Sequence, residues 1–166
     1  GVKNIDQILP PPAPIQPMDP SLEHINALGA KPFQAFRGQD HRAHVTAHLT
    51  FMSTNIVRNN PMVMASIQKN ILEHISLMAQ EQVELEFAEQ LQQLQVLQVQ
   101  AQQDPRVQQQ LQQFSQTLEA RKAVLVAELT ADFAKEEKEI TSQYDNDPLL
   151  KLKSREVDLR AMENER

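Results

Sequence analysis

The chain has 166 residues, a formal net charge of −6, 4% aromatic residues, three glycines and no cysteine. Scarce glycine and aromatic residues argue against a sheet-based fold with many tight turns. The missing cysteine excludes disulfides and thiolate ligands, and the acidic balance does not suit binding nucleic acid by phosphate neutralisation. Leu, Ala, Gln, Glu and Lys dominate, and all of them favour helix, so the expected class is all-α with long amphipathic helices. No apolar run approaches the ~20 residues that span a bilayer and no signal-peptide pattern is present, so no membrane partner is expected. The chain opens on Gly1, as a processed chain or a piece of a longer polypeptide does.

The first 19 residues read as an arm. Between Ile8 and Pro20 stand six prolines, each removing a backbone donor and restricting its predecessor. An extended, partly polyproline II spacer is expected. A ligand for an SH3-like groove is the weaker reading, because no flanking Arg accompanies the prolines. A recurring dipeptide then sets the helix starts: Asp19-Pro20, Asn60-Pro61, Asp104-Pro105 and Asp147-Pro148. Asp or Asn at the N-cap with Pro at the first helical position is a strong start signal. It predicts helices over about 20–29, 61–103, 105–145 and 148–165. Asp40, just after Gly38, predicts a fifth over about 41–58. The expected organisation is a Pro-rich arm (1–19), short helices with a loop (20–60), two long amphipathic helices (61–146) and a charged C-terminal helix (147–166).

The stretch "DHRAHVTAHLTFM", Asp40 to Met52, puts His41, His44 and His48 at i, i+3 and i+7, one side of a helix. A zinc-protease pattern needs His at i and i+4 with Glu between them as base. Here Val45 follows His44 and no Glu is present. A zinc site also needs three or four ligands, and Asp40 is better used as a cap. Val45, Leu49, Met52 and Ile56 form the apolar face, with the histidines at its edge. The expectation is a subunit-contact helix holding no metal; His41, His44 and His48 are the candidates should one bind. Phe33 and Phe36 in the preceding loop read as anchors onto the helices.

Further along, apolar residues recur at Met64, Ile67, Ile71, Ile75 and Met78, then at Val83, Phe87, Leu91 and Leu94. In the next helix they fall at Val107, Leu111, Phe114, Leu118, Leu125, Leu129, Phe133, Ile140 and Tyr144. Nearly every step is 3, 4 or 7, the heptad pattern. A two-helix hairpin leaves much of such a stripe exposed, so burial against other copies is expected. The expected oligomer interface is Ile67, Ile71, Ile75, Leu91, Leu94, Val107, Leu111, Phe114, Leu118, Leu125, Leu129 and Phe133. Gln crowds the middle of the chain; with helical spacing kept, a Gln-coated helix is expected there. Residues 61–120 carry two bases, Lys69 and Arg106, against seven acids, whereas residues 121–166 mix nine bases with eleven acids, as a solvated face laced with ion pairs does. No P-loop, dinucleotide fingerprint or nucleophile elbow is present. No catalytic residue, no cofactor and no enzymatic activity are expected.

Two stretches carry a resemblance. "PPPAPIQPMDPSLEHINALGAKPFQAFRGQDHRAHVTAHLTFM", Pro10 to Met52, resembles a segment late in the portal (head-to-tail connector) proteins of certain tailed bacteriophages. "DNDPLLKLKSREVDLRAMENE", Asp145 to Glu165, resembles the tail near their C-termini. The resemblance implies the C-terminal part of a portal subunit, a helical crown or barrel in a ring, usually dodecameric, at one capsid vertex. Genome packaging and ejection pass DNA through such a ring. The implied partners are further copies of the chain, other capsid and tail-connector proteins, and duplex DNA passing without tight binding. The implied location is the virion, after assembly in the host cytoplasm. The wing, stem and clip regions of portal subunits have no counterpart here. Two other readings stand beside this one: a homo-oligomeric coiled-coil scaffold or adaptor with a Pro-rich ligand arm, and a small metal-dependent enzyme built on the histidines.

Overall fold

The structure is a computed structural model that describes residues 10–100 and 102–146. It is all-helical, with no strand among those residues. Residues 10–19 belong to no helix or strand. The expected 148–165 helix and the first nine residues of the arm lie outside the described residues.

The Asx-Pro pairs at 19–20, 60–61 and 104–105 start helices as the sequence predicts. Helix α1, Pro20–Leu28, is capped by Asp19, whose carboxylate accepts from the Leu22 amide at 3.0 Å. The chain leaves α1 through Ala30, which takes a positive φ of 56°, and the Lys31 amide closes back on the Asn26 carbonyl at 2.7 Å. Helix α2, His41–Met52, is capped by Asp40 through the Ala43 amide at 3.1 Å. Gly38 supplies the turn before it at φ 81°, a region costly to residues with a Cβ.

Two predicted helices are divided. The helix expected over 41–58 breaks into α2 and a single turn α3, Asn55–Arg58. The hydroxyls of Ser53 and Thr54 donate to the carbonyls of Thr50 and Phe51 at 2.6 and 2.7 Å, satisfying the end of α2 in place of continued helix. The helix expected over 61–103 becomes α4, Pro61–Glu86, and α5, Ala88–Gln100. Between them Phe87 sits at φ −111° and ψ 24°. Backbone bonds still run through it, from Phe87 to Val83 at 3.0 Å and from Leu91 to Phe87 at 2.9 Å, so the joint bends the rod without severing it. Helix α6, Pro105–Asn146, has 42 residues and runs about 63 Å at 1.5 Å per residue.

Helices α4 and α6 run antiparallel. Arg121 grips Glu86 through two bonds of 2.8 and 3.0 Å and Phe114 meets Phe87 edge-on at 5.9 Å, while Phe133 lies further back among Ile67, Ile71 and Ile75. Helix α2 packs against both long helices, and α1 lies across α2 and α4. Val45, Leu49, Val57, Val63, Ile67, Ile71, Ile75 and Phe133 form the main core, with Phe33 packed on it. Phe33 thus anchors the loop as expected. A smaller cluster of Ala79, Val83 and Leu125 continues toward the hairpin tip.

Six of the residues expected at an oligomer interface are already buried within one chain: Ile67, Ile71, Ile75 and Phe133 share a core with the α2 residues Val45, Leu49 and Met52, Leu125 lies in the cluster with Ala79 and Val83, and Val107 is buried as well. Leu91, Leu94, Leu111, Phe114, Leu118 and Leu129 are only half-buried. Ile56 leaves the α2 face altogether, since the break at Ser53–Thr54 turns it outward, where it is 64% exposed.

Candidate functional site

All five histidines of the chain meet in one place, together with Glu23, Glu81 and Asn70. Helix α1 contributes Glu23 and His24, α2 contributes His41, His44 and His48, and α4 contributes Asn70, His74 and Glu81. Spacing places them. His41, His44 and His48 share one side of α2, as the i, i+3, i+7 pattern requires. His74 is three residues after Ile71 on the buried face of α4, and Asn70 and Glu81 sit one turn before and two turns after it. Asp19 and Pro20 start α1 so that Glu23, in its first turn, turns inward.

The centre is dry. Glu23, His48 and His74 are 0% exposed, Asn70 1%, His41 4% and His44 7%. Three imidazole nitrogens converge on the Glu23 carboxylate: His44 Nδ1 at 2.5 Å from Oε1, His48 Nε2 at 3.3 Å from Oε1, and His74 Nε2 at 3.9 Å from Oε2. One donor atom from each of these four residues lies within 4.8 Å of all the others. The Glu23 Oε2 atom and His74 Nε2 have no hydrogen-bond partner. They face each other at a distance too long for a hydrogen bond.

A second tier holds these rings. His24 Nε2 stands 2.9 Å from His48 Nδ1, and Asn70 Oδ1 is 2.7 Å from His48 Nε2. His41 Nδ1 is 2.8 Å from His74 Nδ1, and His41 Nε2 is 3.1 Å from Glu81 Oε2. The other oxygen of Glu81 accepts from the Gly38 amide at 2.7 Å, tying the loop before α2 to α4. His24 is stacked on Phe51 with ring centres 4.0 Å apart.

Electrostatics sort the charges. Burial pushes the Glu23 carboxyl up, but the imidazoles of His48, His74 and His44 outweigh it and hold the group at about 2, so it is an anion. Burial pushes His74 down, and the neighbouring His44 and His41 add to that. Burial and His48 bring His24 down to about 4. The centre is a carboxylate ringed by imidazoles, at least two of which resist taking a proton.

The sequence therefore pointed to part of the site. His44 and His48 are in it, and His41 stands behind His74. The expected edge position is corrected: all three are turned into the interior of the chain, where α1 and α4 cover them, and they are not at a surface another subunit would meet. Glu23 and His74 were missed. The available signal for His74 was a polar residue interrupting the apolar stripe between Ile71 and Ile75. Glu23 had none beyond its place in the first turn of a short helix.

No protein-family model, curated protein or solved structure gives a significant match to this chain. Among the described residues, no helix is long and apolar enough to cross a membrane.

Proposed function

We propose that this chain is a structural, self-assembling component of a phage portal ring, the C-terminal part that forms a helical wall of the DNA conduit at the capsid vertex. It acts by position and has no catalytic activity. The reading starts from the sequence resemblance of Pro10–Met52 and Asp145–Glu165, and one structural observation carries self-assembly. Helix α5 buries none of its residues, and Val96, Leu97 and Val99 are 54%, 38% and 76% exposed. A Gln-coated helix with apolar residues on its open side is suited to packing against identical helices, without like-charge repulsion.

The passive-wall part rests on charge. Arg37 pairs with Glu84, Arg42 lies over the Phe133 ring at 5.0 Å and Arg58 over the Tyr144 ring at 4.5 Å. Each of these bases is engaged within the chain, in keeping with a wall past which DNA slides. The mass of the purified chain in solution tests the reading. A ring gives a closed assembly of many copies, a dodecamer by resemblance. The scaffold or adaptor alternative gives two to four copies, and a monomer at high concentration would overturn both.

A further inference from the structure

Helix α1 is held to the rest of the molecule by a buried carboxylate facing three imidazoles, and that carboxylate is under-partnered. An unpaired charge in a dry interior is costly. Glu23 Oε2 nevertheless has no donor, and His74 Nε2 opposite it has no partner either.

The tier behind His74 fixes what that nitrogen carries. Glu81 Oε2 is an acceptor only, so His41 Nε2 carries the proton between them, at 3.1 Å. In neutral His41 the Nδ1 atom is then an acceptor, and His74 Nδ1 donates to it across 2.8 Å. His74 Nε2 is left with its lone pair aimed at a carboxylate oxygen that also has only lone pairs to offer. Two facing lone pairs repel each other and attract a cation. A carboxylate that orients an imidazole so that its far nitrogen is free to ligate is the usual outer tier of a metal site; here one more imidazole extends the relay.

We propose that Glu23, His44, His48 and His74 bind one divalent zinc-class cation that fastens α1 to α2 and α4. Three imidazole nitrogens and one carboxylate oxygen form a borderline donor set suited to Zn²⁺, and four ligands without an open position make a structural site. Zinc at about 2.1 Å from each ligand sets donor separations near 3.4 Å in a tetrahedron. The Glu23–imidazole separations of 2.5, 3.3 and 3.9 Å lie on either side of that value, and all four donor atoms lie within 4.8 Å of one another, so small rotamer changes close the sphere. Loading asks three neutral rings to change tautomer. His44 moves its proton from Nδ1, where it faces Glu23, to Nε2. His48 moves its proton from Nε2, where it is donated to Asn70 Oδ1, to Nδ1, and His24, 2.9 Å away, moves its own from Nε2 to Nδ1 so that its Nε2 accepts from His48. The burial that makes the site tight also denies it a substrate, so the metal serves the fold.

The test uses the full chain, stripped of metal with a chelator and returned to buffer. The expected result is one equivalent of Zn²⁺ per chain, with Tm rising by roughly 5–10 °C at free zinc a hundredfold above Kd. Co²⁺ in its place gives the intense visible bands of tetrahedral coordination, and X-ray absorption reads imidazole nitrogens with one carboxylate oxygen. His74→Gln keeps the helical circular dichroism and loses those bands, whereas Lys69→Gln on the same helix leaves them unchanged. No stoichiometric binding by the wild-type chain overturns the proposal, as do Co²⁺ bands of undiminished intensity in His74→Gln. Should His74→Gln fail to fold, the wild-type absorption spectrum decides: it must read three imidazoles and one oxygen, and a water-rich sphere sinks the idea. Copy number is measured separately, so failure here leaves the ring reading standing, and failure there leaves the metal standing.

Discussion

At single residues the chain is built to close tolerances in some places and strained in others. Ala30 ends α1 at a positive φ, a conformation that costs a residue with a Cβ roughly 1–2 kcal/mol. Glycine loses some of that advantage to its freer unfolded chain, about 0.4–1 kcal/mol. Ala30→Gly is expected to stabilise the protein by about 0.5–1 kcal/mol, read as a higher denaturant midpoint at unchanged slope. Ile67 is fully buried where α2, α4 and α6 meet; Ile67→Ala leaves a cavity and is expected to cost about 2–5 kcal/mol in the same measurement. The histidine pattern shows how far residue-level reading reaches. His41, His44 and His48 could be placed on one side of α2 from spacing alone. What they face could not, because Glu23 and His74 lie 18 and 26 positions from the nearest of them in the sequence and only tertiary packing joins them.

At the level of elements, Asp19, Asp40, Asn60 and Asp104 marked the starts of α1, α2, α4 and α6, because capping is local chemistry between a side chain and amides two or three residues on. Helix interruptions were less legible. The bend at Phe87 has neither Pro nor Gly to announce it; Phe87 is drawn toward Phe114 across the hairpin, a contact no local pattern contains. The Ser53–Thr54 break did carry a signal, two adjacent hydroxyl residues, but such residues also occur within helices. Next to the bend, Glu86 and Arg121 clamp α4 to α6. The guanidinium of Arg121, helped by the Gln82 amide, holds the Glu86 carboxyl at about 2, below its ordinary value of 4.5. A depressed carboxyl favours the folded state above its ordinary value and loses that contribution as pH falls through the folded one. The clamp is solvent-facing, so the effect is small. The stability gap between wild type and Arg121→Leu is therefore expected to narrow as pH falls from about 5 to 2; a gap that stays constant over that range means the pair contributes nothing through charge.

For the molecule as a whole, the all-α class followed from composition, but the chain buries more of its own stripe than a two-helix reading allowed. On the proposed reading, the exposed apolar residues of α5, Val96, Leu97 and Val99, are the assembly surface to test. Val96→Asp with Val99→Asp is expected to reduce the copy number in sedimentation while leaving Tm within a few degrees, since both residues are exposed in the single chain. If the double variant sediments like wild type, α5 is not the assembly surface. The assembled species is also expected to bind duplex DNA more weakly than the ~10⁻⁴–10⁻⁶ M of ordinary non-specific binders at physiological salt. Fluorescence anisotropy at two salt concentrations checks this, and micromolar binding with a steep salt slope would end the passive-wall reading.

The way α1 is attached has a consequence for the order in which the molecule opens. Helix α1 buries only Glu23 and Ala27, while Leu22, Ile25 and Leu28 remain 48%, 61% and 48% exposed. Hydrophobic area contributes little to its docking, so it is expected to detach as a unit before the three-helix core loosens. Its amide hydrogens should exchange with solvent faster than those of α2 and α4. A cation bound through Glu23 would slow that exchange on α1 far more than on the hairpin tip. The arm that precedes α1 would then be latched or released by one carboxylate, with the core beneath it unchanged.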